Sequence, residues 1–173
     1  MKKIILGSVI VFIVLFASFL VIGIARKLQN QKLVTEKIGR LPSFSFMTLS
    51  NESYNSRDIK KGPVLVVHFH PECEHCQYEI SEILKSDIPA TFASVILVSG
   101  AQPDSIRKFL KRFNYSDYPS VIPLMDTSYN FEDIFGSGIV PSSYIYNIKL
   151  NLIKVFHGEL KPGAILKYLQ ESE

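Results

Sequence analysis

The feature that most constrains this chain is an apolar run that stops just short of a pair of cysteines. Val64-Leu65-Val66-Val67-His68-Phe69 is almost unbroken in its hydrophobicity. That is the pattern of a strand buried on both faces, not of a strand with one wet side. Such a strand needs a sheet with layers packed against both surfaces, which points to an α/β architecture. Directly beyond it, Cys73-Glu74-His75-Cys76 opens a segment, 74–86, whose Cys76, Ile80, Ile83 and Leu84 recur at helical spacing.

The remaining pattern supports the same class. Residues 44–47 and the region of Ser53-Tyr54 predict two short strands joined by the turn Ser50-Asn51-Glu52, and 56–62 predicts a helical turn closed by Gly62. A strand is expected over 92–99. A helix over 104–113 follows Pro103, with Ile106, Phe109, Leu110 and Phe113 as its buried stripe. Residues 121–125 read as a strand whose pairing Pro123 weakens. A short helix over 129–135 ends at Gly136, strands at 143–147 and 152–157 flank a turn, and an amphipathic helix over 160–170 closes the chain. Strand and helix alternate, then a hairpin and a helix follow, so the expected fold is a mixed central sheet flanked by helices.

The amino-terminal segment is of another kind. Residues 4–25 are 22 positions without a charge, rich in Ile, Val, Leu and Phe. As a helix at about 1.5 Å per residue they span ~33 Å, enough for a bilayer core of about 30 Å. Gly23-Ile24-Ala25 offers a small-x-small cleavage pattern, but signal-peptide cores run to only about 7–15 residues. The expected organisation is an uncleaved anchor or signal-anchor over 1–25, a polar tether over 26–41 and one folded domain over 42–173. Lys2 and Lys3 favour a cytoplasmic amino terminus, and Arg26 and Lys27 oppose it. Apart from Lys2 and Lys3, 17 basic residues face 16 acidic ones, so no basic surface for nucleic acid is implied.

Two cysteines in 173 residues exclude a disulfide-dense scaffold and leave one intrachain pair. At CxxC spacing they can close a small disulfide, Cys73-Cys76, across the first turn of a helix. The unpaired N–H groups of that turn favour an anionic sulfur at Cys73, the nucleophile, while Cys76 lies deeper as the resolving thiol. A redox pair is favoured over half of a zinc site, whose remaining ligands would have to come from His68, His70 and His75. His68 reads as a core histidine, and His70 as a residue near enough to tune the pair or bind a metal. No small-molecule cofactor motif is present.

Here the sequence resembles the thioredoxin superfamily, and within it the membrane-anchored TlpA/ResA-like thiol–disulfide oxidoreductases of bacteria, which share a redoxin domain. The resemblance spans 41–169. It rests on the core strand, on Cys73-Glu74-His75-Cys76-Gln77-Tyr78-Glu79 as CxxCxxE, on Gly138-Ile139-Val140-Pro141-Ser142, and on Phe156-His157-Gly158 at the end of the last strand. It implies a thioredoxin-like fold, a cis peptide before Pro141 facing the cysteines, and Glu79 as a proton shuttle. It also implies a Val140 backbone that pairs with a substrate as an added strand.

Glu74 and His75 are the tuning residues between the cysteines, His75 standing where DsbA-like oxidants carry histidine. The chain departs from thioredoxin in having Glu72 where an aromatic residue precedes the first cysteine, and Val67 in place of the buried acid. Ile80-Ser81 stands where the family has a proline after CxxCxxE.

The activity implied is that of a single-pass protein of the bacterial inner (plasma) membrane. Its domain, on the periplasmic side, exchanges disulfides with exported protein thiols and with an upstream thiol–disulfide electron donor. It is of the protein-disulfide reductase type, with the direction of electron flow open. The alternative is a copper-binding chaperone using the same cysteines with His70 or His75. A peroxiredoxin is disfavoured, because residue 70 is His where that family has Thr or Ser.

Overall fold

The computed structural model describes residues 36–171 together with Phe19, 21–23 and Val34. Of the anchor expected over 4–25, Phe19 and 21–23 are helical, and the rest lies outside the described residues. Among the described residues no helix is long and apolar enough to cross a membrane. The chain divides into two compact units, Met1–Lys37 and Ile38–Glu173. The second begins within the stretch expected as a tether. Ile38 is buried, Gly39 accepts the Leu152 N–H (2.9 Å) and Leu41 donates to Leu150 (2.9 Å).

In chain order the elements of this unit are β1 (Ser45–Thr48), β2 (Ser53–Asn55), a 3-10 turn (Ser56–Asp58), β3 (Val64–His68), α1 (Glu74–Lys85), α2 (Ile88–Thr91), β4 (Ser94–Ser99) and α3 (Pro103–Lys111). A second 3-10 turn (Tyr115–Asp117), β5 (Val121–Met125), α4 (Phe131–Phe135), β6 (Ser142–Tyr146), β7 (Leu152–His157) and α5 (Pro162–Gln170) complete it. The seven strands form one sheet in the order β2-β1-β5-β4-β3-β6-β7. β3 pairs parallel with β4 and antiparallel with β6, and β4 pairs parallel with β5, so the sheet is mixed. Central placement explains the apolar run of β3, whose Val64, Leu65, Val66 and Val67 are all fully buried.

The two sides of the sheet are filled differently. Leu65 and Val67 of β3 and Phe69 just past its end, with Val95, Leu97 and Ile145 beside them, share a core with Ile80, Ile83 and Leu84 of α1, Ile106, Phe109 and Leu110 of α3, and Ile165 of α5. On the opposite side Val66, Ile96 and Tyr144 stand in register, below an aromatic group of Phe44, Phe46, Phe131 and Phe135. Phe131 and Phe135 stack at 4.4 Å, and Phe135 meets Tyr144 at 5.1 Å.

Three local expectations are revised. Pro123 does not put β5 at an edge: the strand lies between β4 and β1, and β1 pairs with it only at Leu124 and Met125. The proline, which has no N–H to give, therefore sits just past the end of that pairing. α2 was not among the expected elements; its Pro89 occupies the first turn, where the missing N–H costs nothing. α4 starts at Phe131 and not at 129, since Tyr129 has φ +52°. Gly136, at φ +81°, ends α4 as the sequence implies.

Candidate active site

The chain passes from β3 to α1 through a short, tied loop. Phe69 still donates to Val98 of β4 (2.9 Å), and the Cys73 N–H closes a turn onto the His70 carbonyl (3.1 Å). Cys73 has extended backbone and is the N-cap of α1, its Sγ accepting the Cys76 N–H at 3.4 Å. The Gln77 side chain donates to the Pro71 carbonyl (2.7 Å), which fixes the loop to the first helical turn. A sulfur placed where a helix presents unpaired N–H groups favours negative charge.

The two thiols, both free, sit in unlike surroundings. Cys73 is half-buried, whereas Cys76 is fully buried and part of the aliphatic core. Burial pushes the Cys76 thiol up to about 12. Its hydrogen bond with Cys73 adds to this, as do the nearby Cys73 and Glu79 charges, against a downward pull from the His70 backbone. One sulfur thus meets solvent at a helix end, and the other is held as a neutral thiol beneath it.

Glu79 lies one turn beyond Cys76 and has no solvent exposure. Burial drives its carboxyl up to about 7, so it can give or take a proton near neutrality; the Glu159 charge adds to this rise. The Ser143 hydroxyl donates to Oε1 at 2.6 Å and the Leu160 backbone also bonds the group, both opposing the rise. Oε2 has no partner in the protein. Ser143 is opposite Val67 in the β3–β6 register. The carboxylate therefore enters the core from the helix, and the strand position where thioredoxins carry their acid is apolar Val67.

The antiparallel register sets His68 at the end of β3 opposite Ser142 at the start of β6. Val140 and Pro141 therefore lie at the same end of the sheet as Cys73, and Val140 and Cys73 pack on the same core. The Val140-Pro141 peptide is cis. The Pro141 carbonyl accepts the Gly158 N–H at 2.8 Å, and Ser142 Oγ bonds both the Ile139 carbonyl (2.7 Å) and His157 Nδ1 (2.9 Å).

The histidines are occupied elsewhere. His75 is exposed and meets Glu159 at 3.0 Å. His70 is in the loop past the end of β3, with Nδ1 accepting the Glu72 N–H (3.3 Å). His68 points to the aromatic side, stacked on Phe131 at 4.0 Å. Among the described residues no three His, Cys, Asp or Glu side chains converge as a metal site. Glu74 is exposed in the first turn of α1. Ser143, Glu159 and Leu160 were not singled out from the sequence. Ser143 could have been found from its place two residues past Pro141 in a strand opposite Val67, whereas Glu159 and Leu160 carry no motif.

No family model matches this sequence, and no curated protein does. Solved structures do. The exposed lipoprotein thioredoxin Etrx1 of Streptococcus pneumoniae is 22% identical, with 75% of this chain and 98% of that one covered and a TM-score of 0.56. A secreted disulfide oxidoreductase of Mycobacterium tuberculosis, homologous to E. coli DsbE, is 13% identical over 79% of this chain and 98% of that one, with a TM-score of 0.62. A peroxiredoxin-like protein of Aquifex aeolicus is 14% identical over 76% and 84%, with a TM-score of 0.60. The fold is thioredoxin-like, as the sequence resemblance implied. It is shared by chemistries that differ, so the site must discriminate between them.

Proposed function

We propose that this protein is a membrane-tethered thiol–disulfide oxidoreductase that exchanges disulfides with exported proteins through Cys73 and Cys76. The observation that carries the reading is the asymmetry of the pair: Cys73 caps α1 in a half-buried position while Cys76 is fully buried one turn below.

In the reductive direction the Cys73 thiolate attacks one sulfur of a partner disulfide. A Cys73–partner bond forms, the partner bond breaks, and the departing sulfur takes the electron pair. Cys76 then loses its proton to Glu79 and attacks Cys73. The Cys73-Cys76 disulfide forms and the second partner thiolate leaves, so the partner gains the two electrons that the pair loses. A thiol–disulfide donor restores the pair, and every step can run in reverse. The backbone at Val140, beside Pro141 and at the same end of the sheet as Cys73, is suited to hold a partner segment as an added strand. Glu74 and His75 tune the charge around Cys73.

The uncharged residues 4–25 support tethering. The exposed lipoprotein and the secreted oxidoreductase among the similar structures support an extracytoplasmic site of action. A bacterial inner-membrane location follows, with the domain on the periplasmic side. A membrane-impermeant thiol reagent should label Cys73 in intact cells; labelling only after lysis overturns that placement.

The exchange reading is tested by Cys76→Ser. This variant should accumulate mixed disulfides with exported proteins through Cys73, and these should vanish in the Cys73→Ser/Cys76→Ser double variant. If no adducts form and Cys73 alkylates no faster than a free thiol, the reading fails.

A further inference from the structure

The segment leaving β7 grips α1 at two points one turn apart. Gly158, at φ +104°, turns the chain off the strand while its N–H holds the Pro141 carbonyl (2.8 Å). The next two residues both reach α1. Glu159 Oε2 meets His75 Nδ1 at 3.0 Å, and the Leu160 backbone favours the charged form of the Glu79 carboxyl. His75 and Glu79 are four apart on one helix and so stand on one side of it, with buried Cys76 following His75 by one residue. One dipeptide therefore touches the residues on either side of the resolving thiol.

The groups that face Glu79 come from a few elements. α1 supplies Cys76, and β6 supplies the Ser143 hydroxyl. The β7–α5 segment supplies Glu159, whose negative charge acts on Glu79. α5, which packs on α1, brings Lys161 and Lys167, both exposed, and Lys167 pairs with Glu171 (3.7 Å). His157 is engaged by Ser142. Glu159 thus both acts on Glu79 through its charge and holds a titratable partner of its own, His75.

We propose that Glu159 is a positioning residue of the exchange reaction, which with His75 sets the charge felt by Glu79 and hence the pH at which Cys76 attacks. The inference rests on the reading of Glu79 as the group that takes the Cys76 proton. A bare Glu159 carboxylate favours the protonated form of Glu79, which cannot accept that proton. A protonated His75 at 3.0 Å offsets the charge and returns Glu79 to its accepting form. The two members of this one contact therefore push the same step in opposite directions.

The test is a single turnover of the reduced full-length protein in detergent with dithiobis(nitrobenzoate). Cys73 releases the first thionitrobenzoate and becomes a mixed disulfide. Cys76 then releases the second, its proton passing to Glu79, and the rate of that second release is followed against pH. Glu159→Gln should move the midpoint to lower pH by roughly half a unit or more, and His75→Gln should move it to higher pH. Both shifts should shrink at high salt, because the contact is partly exposed. Glu159→Asp should restore the original profile, and Glu79→Gln should erase both shifts.

If the two variants move the midpoint in the same direction, or not at all, the contact is only a brace and the inference is overturned. If Glu79→Gln itself leaves the profile of the second release unchanged, the reading of Glu79 fails and the inference falls with it. That outcome is distinct from failure of Glu159 alone.

Discussion

Each side of this sheet holds a titratable side chain with an unpartnered polar atom close to the cysteines in sequence, Glu79 on one and His68 on the other, and the two differ in use. On the aliphatic side Glu79 is fully buried among Cys76, Ser143 and the Leu160 backbone, with one oxygen unpartnered. On the aromatic side His68 stacks flat on Phe131, with Nδ1 unpartnered. Both lie within a few residues of the cysteines, but only Glu79 has one as a neighbour whose charge state it affects. Proximity in sequence does not select a functional group. The face of the sheet does.

The largest expected effects separate the sides completely. Cys73→Ser should reduce disulfide exchange by on the order of 10³-fold or more while barely changing the unfolding midpoint, since the side chain is half-buried and isosteric. Phe131→Ala should do the reverse. Its ring touches Phe46, His68, Phe135 and Tyr144, and its removal should cost about 3–5 kcal/mol in chemical denaturation. Exchange per folded molecule should be retained. A Phe131→Ala protein that stays folded yet exchanges slowly would show that the aromatic side serves the chemistry too.

Glu79→Gln should act on both properties. Without a proton acceptor, resolution by Cys76 should slow by roughly 10²-fold, read as persistence of the mixed disulfide. Stability should lose the part of its pH dependence that Glu79 carries. The folded carboxyl is raised from 4.5 to about 7, so the native state holds a proton that the unfolded chain has released between those values. The native chain is favoured below pH 4.5, and that advantage, up to about 3 kcal/mol, is lost as pH rises through 7. Across this range the midpoint of the variant should gain on that of the parent as pH rises, because only the parent loses the Glu79 contribution.

How far these differences could be read from sequence depends on whether their cause is local. The strand-to-helix junction at Cys73 was legible, because burial on two faces and the helical stripe of 74–86 are written in consecutive residues. Glu79 was legible as a position, from CxxCxxE, but its burial was not. Its hydroxyl partner is Ser143, 64 residues away, and strand order decides that pairing. That Pro123 weakens the pairing of β5 was legible, but not that it does so on one side only, because which neighbour stops short there is a property of the whole sheet. His75 read as a partner of the cysteines, yet its contact is Glu159, 84 residues on. Nothing in the residues around either signals that meeting.

The smallest effect concerns His68 and sharpens the contrast between the two sides. Burial lowers its affinity for a proton below the ordinary 6.5, against smaller upward influences from the Ile139 backbone and Asp126. The native state therefore holds a neutral ring where the unfolded chain would take a proton, so the fold loses stability as pH falls below 6.5. This slope is opposite to that of Glu79, and the two offset each other where their ranges overlap. His68→Phe keeps the stacking area on Phe131 and removes the unpartnered nitrogen, so its cost at pH 7 should stay within about 1 kcal/mol. The midpoint of the variant should gain on that of the parent as pH falls below 6.5, the reverse of the Glu79→Gln comparison. Exchange kinetics at pH 7 should be unchanged. A His68→Phe protein that exchanged disulfides markedly more slowly would mean that the aromatic side reaches the cysteines through the end of β3, and the division drawn between the two faces would fail.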